Sequence, residues 1–346
     1  MKIVILAGGG GTRLFPLSRR SLPKQFLSID DDQSLLGETI LRCKGLVRAE
    51  DILIVTNQQY VQHVQSELRK TEAEGAQIVL EPTARSTAPA VALAAKYCME
   101  KLGAGADEVL LIVTSDHIIR PAKAFHEAVE TAVRYAEDGR FVTFGVQPDR
   151  PETGFGYIEL GKALVGAYVT RSFKEKPDAQ MAAQYLAEGN YLWNSGMFAF
   201  QIGMFQREIA RHVPKISELS QGSYEALVRT FSAMPEISID YAVAEHTDCG
   251  VTVPLHLYWN DVGSWDAIYD VLEKDAAGNA VKGDVISFDS HDNLIYGRSR
   301  LISTVGIQNL MIVETDDAIL VAQRGRSQDV KKLVQTMKEQ GRKELE

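Results

Sequence analysis

Two cations follow a glycine-rich stretch near the start of the chain. Residues 8–11 are four successive glycines, Arg13 comes two residues later, and Lys24 follows Pro23 directly. Because glycines carry no side chains, the backbone N–H groups of such a loop approach a phosphate chain or a base closely. The apolar residues 3–6 before the loop predict a buried strand. A strand, a bare backbone loop and two cations together predict a site for a nucleoside triphosphate.

Two well-known phosphate-binding motifs do not fit these residues. A P-loop requires a lysine and then a serine or threonine directly after its last glycine, but Thr12 and Arg13 stand there. A dinucleotide-binding fingerprint requires a third glycine at the position that Arg13 occupies. The other alternative is a tight turn between a strand and a helix, which does not need four glycines.

Residues 6–26 as a whole resemble the signature of the sugar-1-phosphate nucleotidyltransferases. The runs Pro-Leu-Ser-Arg at 16–19 and Pro-Lys-Gln-Phe at 23–26 are similar to those of mannose-1-phosphate guanylyltransferases. Phe15 stands where the family usually has tryptophan and Gly10 where serine is common, and neither change removes a charge. The resemblance implies transfer of GMP from GTP to α-D-mannose 1-phosphate, which gives GDP-mannose and pyrophosphate.

The charge of these reactants gives the cations their expected role. A phosphate oxygen of the sugar phosphate is already an anion, so in-line attack on the α-phosphorus of GTP needs no general base. Holding two polyanions together is the main obstacle, and fixed positive charge overcomes it. The resemblance implies that Arg13 and Lys24 are the catalytic residues. It also implies that the loop residues bind the nucleotide, namely Leu6, Ala7, Gly8, Gly9, Gly10, Gly11 and Thr12.

Two aspartates from distant segments form a candidate metal site. Asp116 ends an apolar run at residues 110–116, and Asp261 lies in the run Trp-Asn-Asp-Val-Gly-Ser-Trp at 259–265. Either aspartate alone is equally typical of a helix N-cap or a turn. Together, two carboxylates suit magnesium, which takes hard oxygen ligands and leaves room for phosphates and water. The resemblance associates both with the metal, so Mg²⁺ is the predicted cofactor.

A second candidate nucleotide-binding box begins at Glu81, directly after a predicted strand. In the simplest interpretation Thr87 caps the helix that follows and Pro89 lies in its first turn. In the functional interpretation the Glu81 carboxylate accepts from the adjacent N–H donors of a guanine. The family has a similar box, with asparagine where this chain has serine at position 86. The nucleotide-binding residues implied here are Glu81, Arg85, Ser86, Thr87 and Ser115.

Three further motifs are candidates for the sugar-phosphate site. Gly154 lies beside an aromatic residue in a segment that is equally typical of a turn or a bulge. Glu175 and Lys176 follow a predicted strand, and a regular strand would point them in opposite directions, as on an exposed edge. Asn194 lies in the run Trp-Asn-Ser-Gly-Met-Phe at 193–198. The resemblance implies that all four residues bind the sugar or its phosphate.

The order of the predicted elements indicates the fold class. Short apolar runs alternate with amphipathic stretches up to residue 145, which is typical of a sheet with helices on both faces. After residue 283, short β-like segments separated by turns predict a β-solenoid or β-roll. With the resemblance, the prediction is an α/β fold with a Rossmann-like (GT-A-like) mixed sheet and a small C-terminal β-helix domain. The predicted boundaries are 1–265 for the catalytic domain, 266–282 for a linker helix and 283–346 for the β-domain with a C-terminal helix.

Composition limits the remaining possibilities. The formal net charge of −9 argues against a nucleic-acid-binding protein, which would present a basic face. The three cysteines are far apart and show no disulfide or metal-ligand spacing, so reduced thiols and a cytoplasmic location are expected. No apolar run is long enough to predict a membrane span. The resemblance also implies that the C-terminal domain takes part in dimerisation, so a homodimer is expected.

Two alternatives to a mannose-1-phosphate guanylyltransferase remain open. The first is a nucleotidyltransferase for another hexose 1-phosphate. The second is a catalytically silent subunit of the same fold that senses nucleotide sugars. A silent sensor has no need of the metal and leaving-group contacts, and this chain has all four candidate residues, Arg13, Lys24, Asp116 and Asp261.

Overall fold

The computed structural model describes residues 1–9, 11, 13–30 and 33–342. Two of the predicted nucleotide-binding residues, Gly10 and Thr12, lie outside the described residues. The chain divides into two compact units. The first consists of Met1–Gly8, Thr39–Ser115 and Ile119–Trp259, and the second of Gly9–Glu38, Asp116–Ile118 and Asn260–Glu346.

A mixed sheet forms the centre of the first unit. In chain order, the strands up to residue 260 are β1 (Lys2–Leu6), β2 (Ile52–Thr56), β3 (Gln77–Leu80), β4 (Val109–Thr114), β5 (Ile118–Arg120), β6 (Phe141–Val146), β7 (Tyr157–Leu164), β8 (Ala167–Lys174), β9 (Tyr191–Gln201), β10 (Gly250–Leu255) and β11 (Tyr258–Asn260). All except β5 and β11 belong to one sheet with the order β3-β2-β1-β4-β9-β6-β10-β8-β7. Neighbouring strands from β3 to β4 are parallel, whereas β9 runs antiparallel to both β4 and β6.

The register of the parallel strands determines which loops share an edge. Leu6, the last residue of β1, pairs with Val55 on one side and with Thr114 on the other. The segments that follow β1, β2 and β4 therefore leave the sheet at the same carboxyl edge, where ligands bind in folds of this type. In the first unit this edge includes Ala7, Gly8 and Ser115.

Helices cover the sheet. Up to residue 230 they are α1 (Leu35–Lys44), α2 (Val61–Lys70), α3 (Thr87–Lys101), α4 (Ala122–Glu137), α5 (Ala179–Glu188), α6 (Ile202–His212), α7 (Pro214–Leu219) and α8 (Tyr224–Thr230). The alanine-rich α3 is buried along most of its length and packs in one core cluster with strand residues such as Val4 and Ile112. Its small side chains allow the helix axis to approach the sheet closely. Within the described residues, no helix combines the length and the apolar character that crossing a membrane requires.

The second unit contains the predicted small β-domain. Its elements after residue 260 are α9 (Trp265–Val271), β12 (Ala280–Lys282), β13 (Val285–Phe288), β14 (Leu294–Tyr296), β15 (Ile302–Val305), β16 (Leu310–Glu314), β17 (Ile319–Gln323) and α10 (Val330–Glu339). Strands β12, β14 and β16 form one parallel ladder and β13 and β15 form another. Strands that are consecutive in the chain thus alternate between two ladders, as in a β-helix, and the predicted fold class is confirmed.

Buried asparagines connect successive coils of this β-helix. Asn293 is fully buried, and its Nδ2 donates a hydrogen bond of 2.9 Å to Oδ1 of the buried Asn279. The backbone N–H of Leu310 in turn donates to Oδ1 of Asn293 over 2.9 Å. Because each amide has both donors and an acceptor, one residue type satisfies polar backbone groups on two adjacent coils. These bonds satisfy backbone polar groups at the turns between coils, which the hydrogen bonds of the short strands alone would leave unpaired.

Candidate active site

Three residues that are far apart in the sequence meet in the second unit. Lys24 follows Pro23 and begins a short 3-10 helix, Lys24–Phe26. Its Nζ lies 2.9 Å from Oδ2 of Asp116. The same ammonium donates a hydrogen bond of 2.6 Å to the carbonyl oxygen of Asp261. The structure therefore brings one predicted catalytic cation together with both predicted metal ligands.

The neighbours of Asp116 keep this carboxyl group ionised. Burial alone would raise its pKa, but the charges of Lys24 and His117 and the hydrogen bond from Lys24 outweigh that effect and hold the pKa below its usual range. Nε2 of His117 lies 3.6 Å from Oδ1 of Asp116, on the oxygen that Lys24 does not contact. Asp116 is thus an anion at neutral pH, as a metal ligand must be.

Asp261 bends back over its own turn. Its Oδ1 accepts a hydrogen bond of 3.2 Å from the backbone N–H of Gly263. A Cβ at position 263 would lie only 2.3 Å from Oδ2 of Asp261, so a side chain there would displace this carboxylate from its present position. The tight turn fixes the direction of the Asp261 side chain in the cluster.

The donors in this cluster suit a divalent metal ion that prefers oxygen ligands. Asp116 and Asp261 provide two carboxylates on segments that Lys24 connects. No group of three or more His, Cys, Asp or Glu side chains among the described residues is arranged to hold a metal. Magnesium commonly takes only one or two protein carboxylates and completes its shell with phosphates and water. The residues present therefore fit such an ion.

The second predicted catalytic cation, Arg13, is exposed at the end of the glycine loop. The loop is connected to the 3-10 helix because Nε2 of Gln25 donates to the carbonyl oxygen of Gly9 over 3.1 Å. The charge of Arg13, and then burial, lower the pKa of a further lysine, Lys331 on α10. Two cations that repel each other in this way form a region of positive potential suited to an anionic ligand.

The part of the signature after Arg13 is held by packing against the β-domain of the same unit. Leu14 and Phe15 belong to one buried cluster with Trp265 and Val330. Nε1 of Trp265 donates to the carbonyl oxygen of Phe15 over 2.9 Å. Two residues of the signature thus serve to anchor the loop, and tryptophan is not needed at position 15 for this packing.

The guanidinium of Arg19 provides a polar anchor for the same segment. Its two terminal nitrogens donate to the two carboxylate oxygens of Asp317 over 2.9 and 2.7 Å. Such a bidentate pair has a defined geometry as well as a charge attraction. Arg19 therefore positions the signature and is not directed at a ligand in this arrangement.

Glu81 is a buried carboxyl group at the sheet edge of the first unit. A Cβ at position 8 would lie 3.1 Å from Oε2 of Glu81, so Gly8 allows the carboxyl group to approach the backbone of the loop. The backbone N–H of Arg85 donates to Oε1 of Glu81 over 3.3 Å. Burial raises the pKa of Glu81 to about 7, although the bond from Arg85 opposes the rise. A carboxyl group with this pKa gains much from a ligand that donates hydrogen bonds to it.

The expectation that Thr87 caps α3 is wrong. The N-cap position belongs to Ser86, which has a φ of 66° and makes no side-chain capping bond. Oγ1 of Thr87 instead accepts a hydrogen bond of 2.8 Å from the backbone N–H of Ile239, a partner distant in the sequence. The guanidinium of Arg85 likewise donates to the carbonyl oxygen of Ser232. Both side chains therefore make contacts with residues distant in the sequence, which residue preferences at helix N-termini do not predict.

The expectation that Glu175 and Lys176 point in opposite directions is also wrong. Strand β8 ends at Lys174, and Lys176 has a φ of 46°, in the left-handed region. This turn places the ammonium of Lys176 against the carboxylate of Glu175, and the two form an ion pair. The two predicted sugar-phosphate-binding residues thus face the same place because the strand ends before them.

One oxygen of Glu175 has no hydrogen-bond partner among the described residues. This oxygen, Oε2, is buried. A Cβ at position 156 would lie 2.5 Å from it, and the carbonyl oxygen of Gly156 accepts a bond of 2.8 Å from the backbone N–H of Asn194. Gly156 thus allows Oε2 to approach the backbone closely. The predicted Gly154 lies nearby in the chain, and its N–H donates to Glu152 over 2.9 Å.

The sequence analysis does not single out two carboxylates in this cluster. Oδ1 of Asp240 accepts a hydrogen bond of 2.7 Å from Nδ2 of Asn194. Oε1 of Glu245 accepts one of 2.9 Å from the backbone N–H of Glu175. One available signal was the lone acidic residue in the apolar run at 237–244, since a charge in such a run is rarely buried without a partner.

The fold and these clusters define a class of protein. A glycine-rich segment follows the first strand of a mixed α/β sheet. In the second unit, Lys24 contacts Asp116 and Asp261, a set of charges suited to phosphate and metal binding, as in enzymes that transfer phosphorylated groups. Residues 2–278 match the nucleotidyl transferase family. Residues 283–337 match the "MannoseP isomerase/GMP-like beta-helix domain" family. The chain belongs to the nucleotidyl transferase family, and its resemblance to the mannose-1-phosphate guanylyltransferases is confirmed.

Relatives of known name match almost the whole chain. The xanthan biosynthesis protein XanB of Xanthomonas campestris is 45% identical over 351 residues, which are 99% of this chain and 74% of that protein. The mannose-1-phosphate guanylyltransferase of Escherichia coli K12 is 40% identical over 99% of this chain and 74% of its own length. A crystal structure described as a mannose-1-phosphate geranyltransferase from Thermus thermophilus superposes with a TM-score of 0.88 and 32% identity. It covers 97% of this chain and 99% of its own.

The raised pKa of Glu81 predicts a measurable dependence of stability on pH. The folded protein binds a proton at Glu81 up to about pH 7, whereas an unfolded glutamate releases it near pH 4.3. The free energy of unfolding therefore falls as the pH rises through this window and is constant above it. Glu81→Gln removes this titratable group. Between pH 5 and pH 8, the free energy of unfolding of the variant should therefore fall by roughly 2–3 kcal/mol less than that of the wild type.

Urea unfolding at both pH values measures this difference. Glu74→Gln is the matched control, because Glu74 is exposed and its replacement should leave the pH dependence of the wild type intact. Equal pH dependence in Glu81→Gln and the wild type would contradict the assignment.

Proposed function

We propose that this chain is a mannose-1-phosphate guanylyltransferase, which transfers GMP from GTP to α-D-mannose 1-phosphate and releases pyrophosphate. The observation that carries the proposal is the contact of Lys24 with Asp116 and Asp261 in a chain of this family. The names of relatives at 40–45% identity over nearly the full chain support the choice of nucleotide and sugar.

Electrostatics accounts for most of the proposed catalysis. The sugar phosphate attacks the α-phosphorus of GTP in line, and pyrophosphate leaves from the opposite side. At a separation of 4 Å and an effective dielectric constant of 20, each pair of like unit charges opposes the approach by about 4 kcal/mol. Lys24 and Arg13 lower this barrier by neutralising phosphate charge and by stabilising the leaving group. No side chain needs to act as a base, because the nucleophile is ionised beforehand.

Members of this family generally use a divalent metal ion, and we propose that Asp116 and Asp261 hold Mg²⁺. When bound, the ion would neutralise phosphate charge and polarise the phosphoryl group. The low pKa of Asp116 keeps its carboxylate available for the ion. The ammonium of Lys24 stays beside the same carboxylate and orients it.

We propose that nucleotide and acceptor are recognised by separate sets of residues. Glu81 accepts hydrogen bonds from the N1 and N2 groups of guanine, and the backbone of the glycine loop approaches the phosphates. The remaining nucleotide-binding proposals are Leu6, Ala7, Arg85, Ser86, Thr87 and Ser115. In the acceptor set, Lys176 binds the phosphate, and Glu175, Asn194 and Gly154 bind the sugar.

We also propose an oligomeric state, a cellular location and domain bounds for this chain. The chain forms a homodimer, and it acts in the cytoplasm without nucleic-acid or membrane partners. Its catalytic domain spans residues 1–265, a linker helix spans 266–282, and the β-domain spans 283–346. The free thiols of Cys43, Cys98 and Cys249 are consistent with a reducing compartment.

A pyrophosphate-release assay tests the function. GTP, ATP, CTP and UTP are each combined with mannose 1-phosphate and with glucose 1-phosphate, with and without Mg²⁺. We expect the highest kcat/KM for GTP with mannose 1-phosphate, and no release without a divalent ion. A preference for glucose 1-phosphate would favour the alternative hexose enzyme. Absence of release in every combination would favour the silent sensor.

Removal of either proposed catalytic cation should slow turnover strongly. We expect Lys24→Ala and Arg13→Ala to lower kcat by at least about a hundredfold, the effect of deleting one preorganised charge contact. Steady-state kinetics with both substrates saturating measure the change. Lys70→Ala, which removes an exposed lysine in a local ion pair, should retain wild-type kcat. A kcat within about threefold of wild type in Lys24→Ala would exclude the role proposed for Lys24.

Lys176→Ala should affect the acceptor and not the nucleotide. Loss of the ammonium removes a charge-assisted contact to the sugar phosphate, so the KM for mannose 1-phosphate should rise by about tenfold or more while the KM for GTP stays near wild type. Lys174→Ala is the matched control, since Lys174 is an exposed lysine two residues earlier. An unchanged KM for mannose 1-phosphate would remove Lys176 from the acceptor site.

A further inference from the structure

Asp240 is a buried carboxyl group in an unusual helical turn. It begins the π-helix Asp240–Ala244, which breaks the usual helical repeat. Ala242, Val243 and Ala244 of this turn lie in the main hydrophobic cluster of the first unit. Burial raises the pKa of Asp240, with its hydrogen bonds acting against the rise. A carboxylate among apolar side chains is costly, and π-turns of this kind occur frequently at functional sites.

Asp240 has two side-chain hydrogen-bond partners, Ser238 and the amide of Asn194 on β9. Nδ2 of Asn194 donates to Oδ1 of Asp240 over 2.7 Å. At its other end, Oδ1 of Asn194 accepts a bond of 3.0 Å from the backbone N–H of Gly196. A backbone N–H only donates, so the bond from Gly196 requires the amide oxygen at that end, and the bond from Nδ2 to Asp240 agrees with the same orientation. Asp240 and Gly196 together prevent the amide from flipping.

The orientation of this amide matters because of what lies next to it. The backbone N–H of Asn194 donates to the carbonyl oxygen of Gly156, and Oε2 of Glu175 packs against the same glycine, only 2.5 Å from where a Cβ would lie. That oxygen is buried and has no hydrogen-bond partner among the described residues. Among the described residues, Nδ2 of Asn194 donates no hydrogen bond other than the one to Asp240. This nitrogen therefore keeps one hydrogen for a ligand. A donor and an acceptor thus lie beside the same glycine, a pairing that suits a sugar hydroxyl group, which both accepts and donates.

We propose that Asp240 is a positioning residue of the acceptor site, which holds the Asn194 amide so that its remaining Nδ2 hydrogen is donated to a sugar hydroxyl while Glu175 accepts from one. The proposal rests on the proposed function, because it takes the sugar phosphate as the ligand of Asn194 and Glu175. In the alternative, Asp240 only stabilises the fold, and its loss lowers the stability of the protein with no selective effect on the sugar phosphate.

A double-mutant cycle separates these two roles. The variants are Asp240→Ala, Asn194→Ala, the double variant and Asp240→Asn, and KM is measured for each substrate with the other saturating. We expect Asp240→Ala to raise the KM for mannose 1-phosphate about tenfold or more, which is the scale of leaving one buried hydrogen-bonding partner unsatisfied. The KM for GTP should stay within about twofold of wild type. Because Asp240 acts through Asn194, the double variant should match Asn194→Ala within about twofold.

Conservative and control variants complete the experiment. Asp240→Asn keeps an oxygen that accepts from Asn194, so it should restore the KM for mannose 1-phosphate to within about threefold of wild type. Asp248→Ala removes an exposed aspartate of the same unit and should behave as the wild type. If thermal unfolding shows that Asp240→Ala does not fold, Asp240→Glu replaces it, since an added methylene displaces the carboxylate and should raise the same KM.

The outcomes distinguish this inference from the proposed function. An unchanged KM for mannose 1-phosphate in Asp240→Ala, or effects of the single variants that multiply in the double variant, would overturn the positioning role while wild-type activity stands. Equal increases in the KM for both substrates would indicate a purely structural role and would also overturn it. Absence of pyrophosphate release by the wild type itself would refute the proposed function.

Discussion

A single ammonium group, that of Lys24, bonds to both the carboxylate of Asp116 and the backbone of Asp261. A largely buried cation needs partners, because an unpaired charge in a poorly hydrated place is strongly destabilising. Here the partners come from segments about 90 and 240 residues away in the chain, so satisfying one charge fixes two distant loops. The same contact lowers the pKa of Asp116 and keeps it anionic. The candidate metal ligands are therefore positioned before any ion binds.

The rest of the signature serves to hold this cation and its loop in place. Phe15 is buried beside Trp265, which also bonds to its carbonyl oxygen, and Arg19 forms a bidentate pair with Asp317. In the second unit, residues 14–26, the turn at Asp261 and the β-helix consequently belong to one compact body. A long signature with few reacting groups is understandable on this basis, since accurate placement of one charge requires many contacts that take no part in chemistry.

The sequence predicted what depends on local pattern. The alternating apolar runs predicted the sheet, and the even spacing of short β-segments predicted a β-solenoid or β-roll, because both follow from periodicity of burial. The narrower choice of a β-helix came from the family resemblance. Thr87 and Lys176 were misjudged because their geometry depends on partners or turns that the local pattern does not contain. Thr87 bonds to Ile239, and Lys176 turns into the left-handed region after its strand has ended. Asp240 was not found because nothing near it in the sequence indicates that Asn194 is its partner.

The charge of the acceptor cluster limits how a sugar phosphate can lie in it. Among the contacts of the described residues, Glu175 and Asp240 share one ammonium, that of Lys176, and Glu245 adds a third carboxylate beside Glu175. Sugar hydroxyls donate hydrogen bonds and suit the buried carboxylates, whereas a phosphate dianion is repelled by them. The Lys176 side chain is 56% exposed and that of Glu175 only 7%. In the proposed reaction the phosphate therefore binds on the exposed side, where Lys176 leaves its ion pair with Glu175 and pairs with the phosphate. The sugar binds on the buried side.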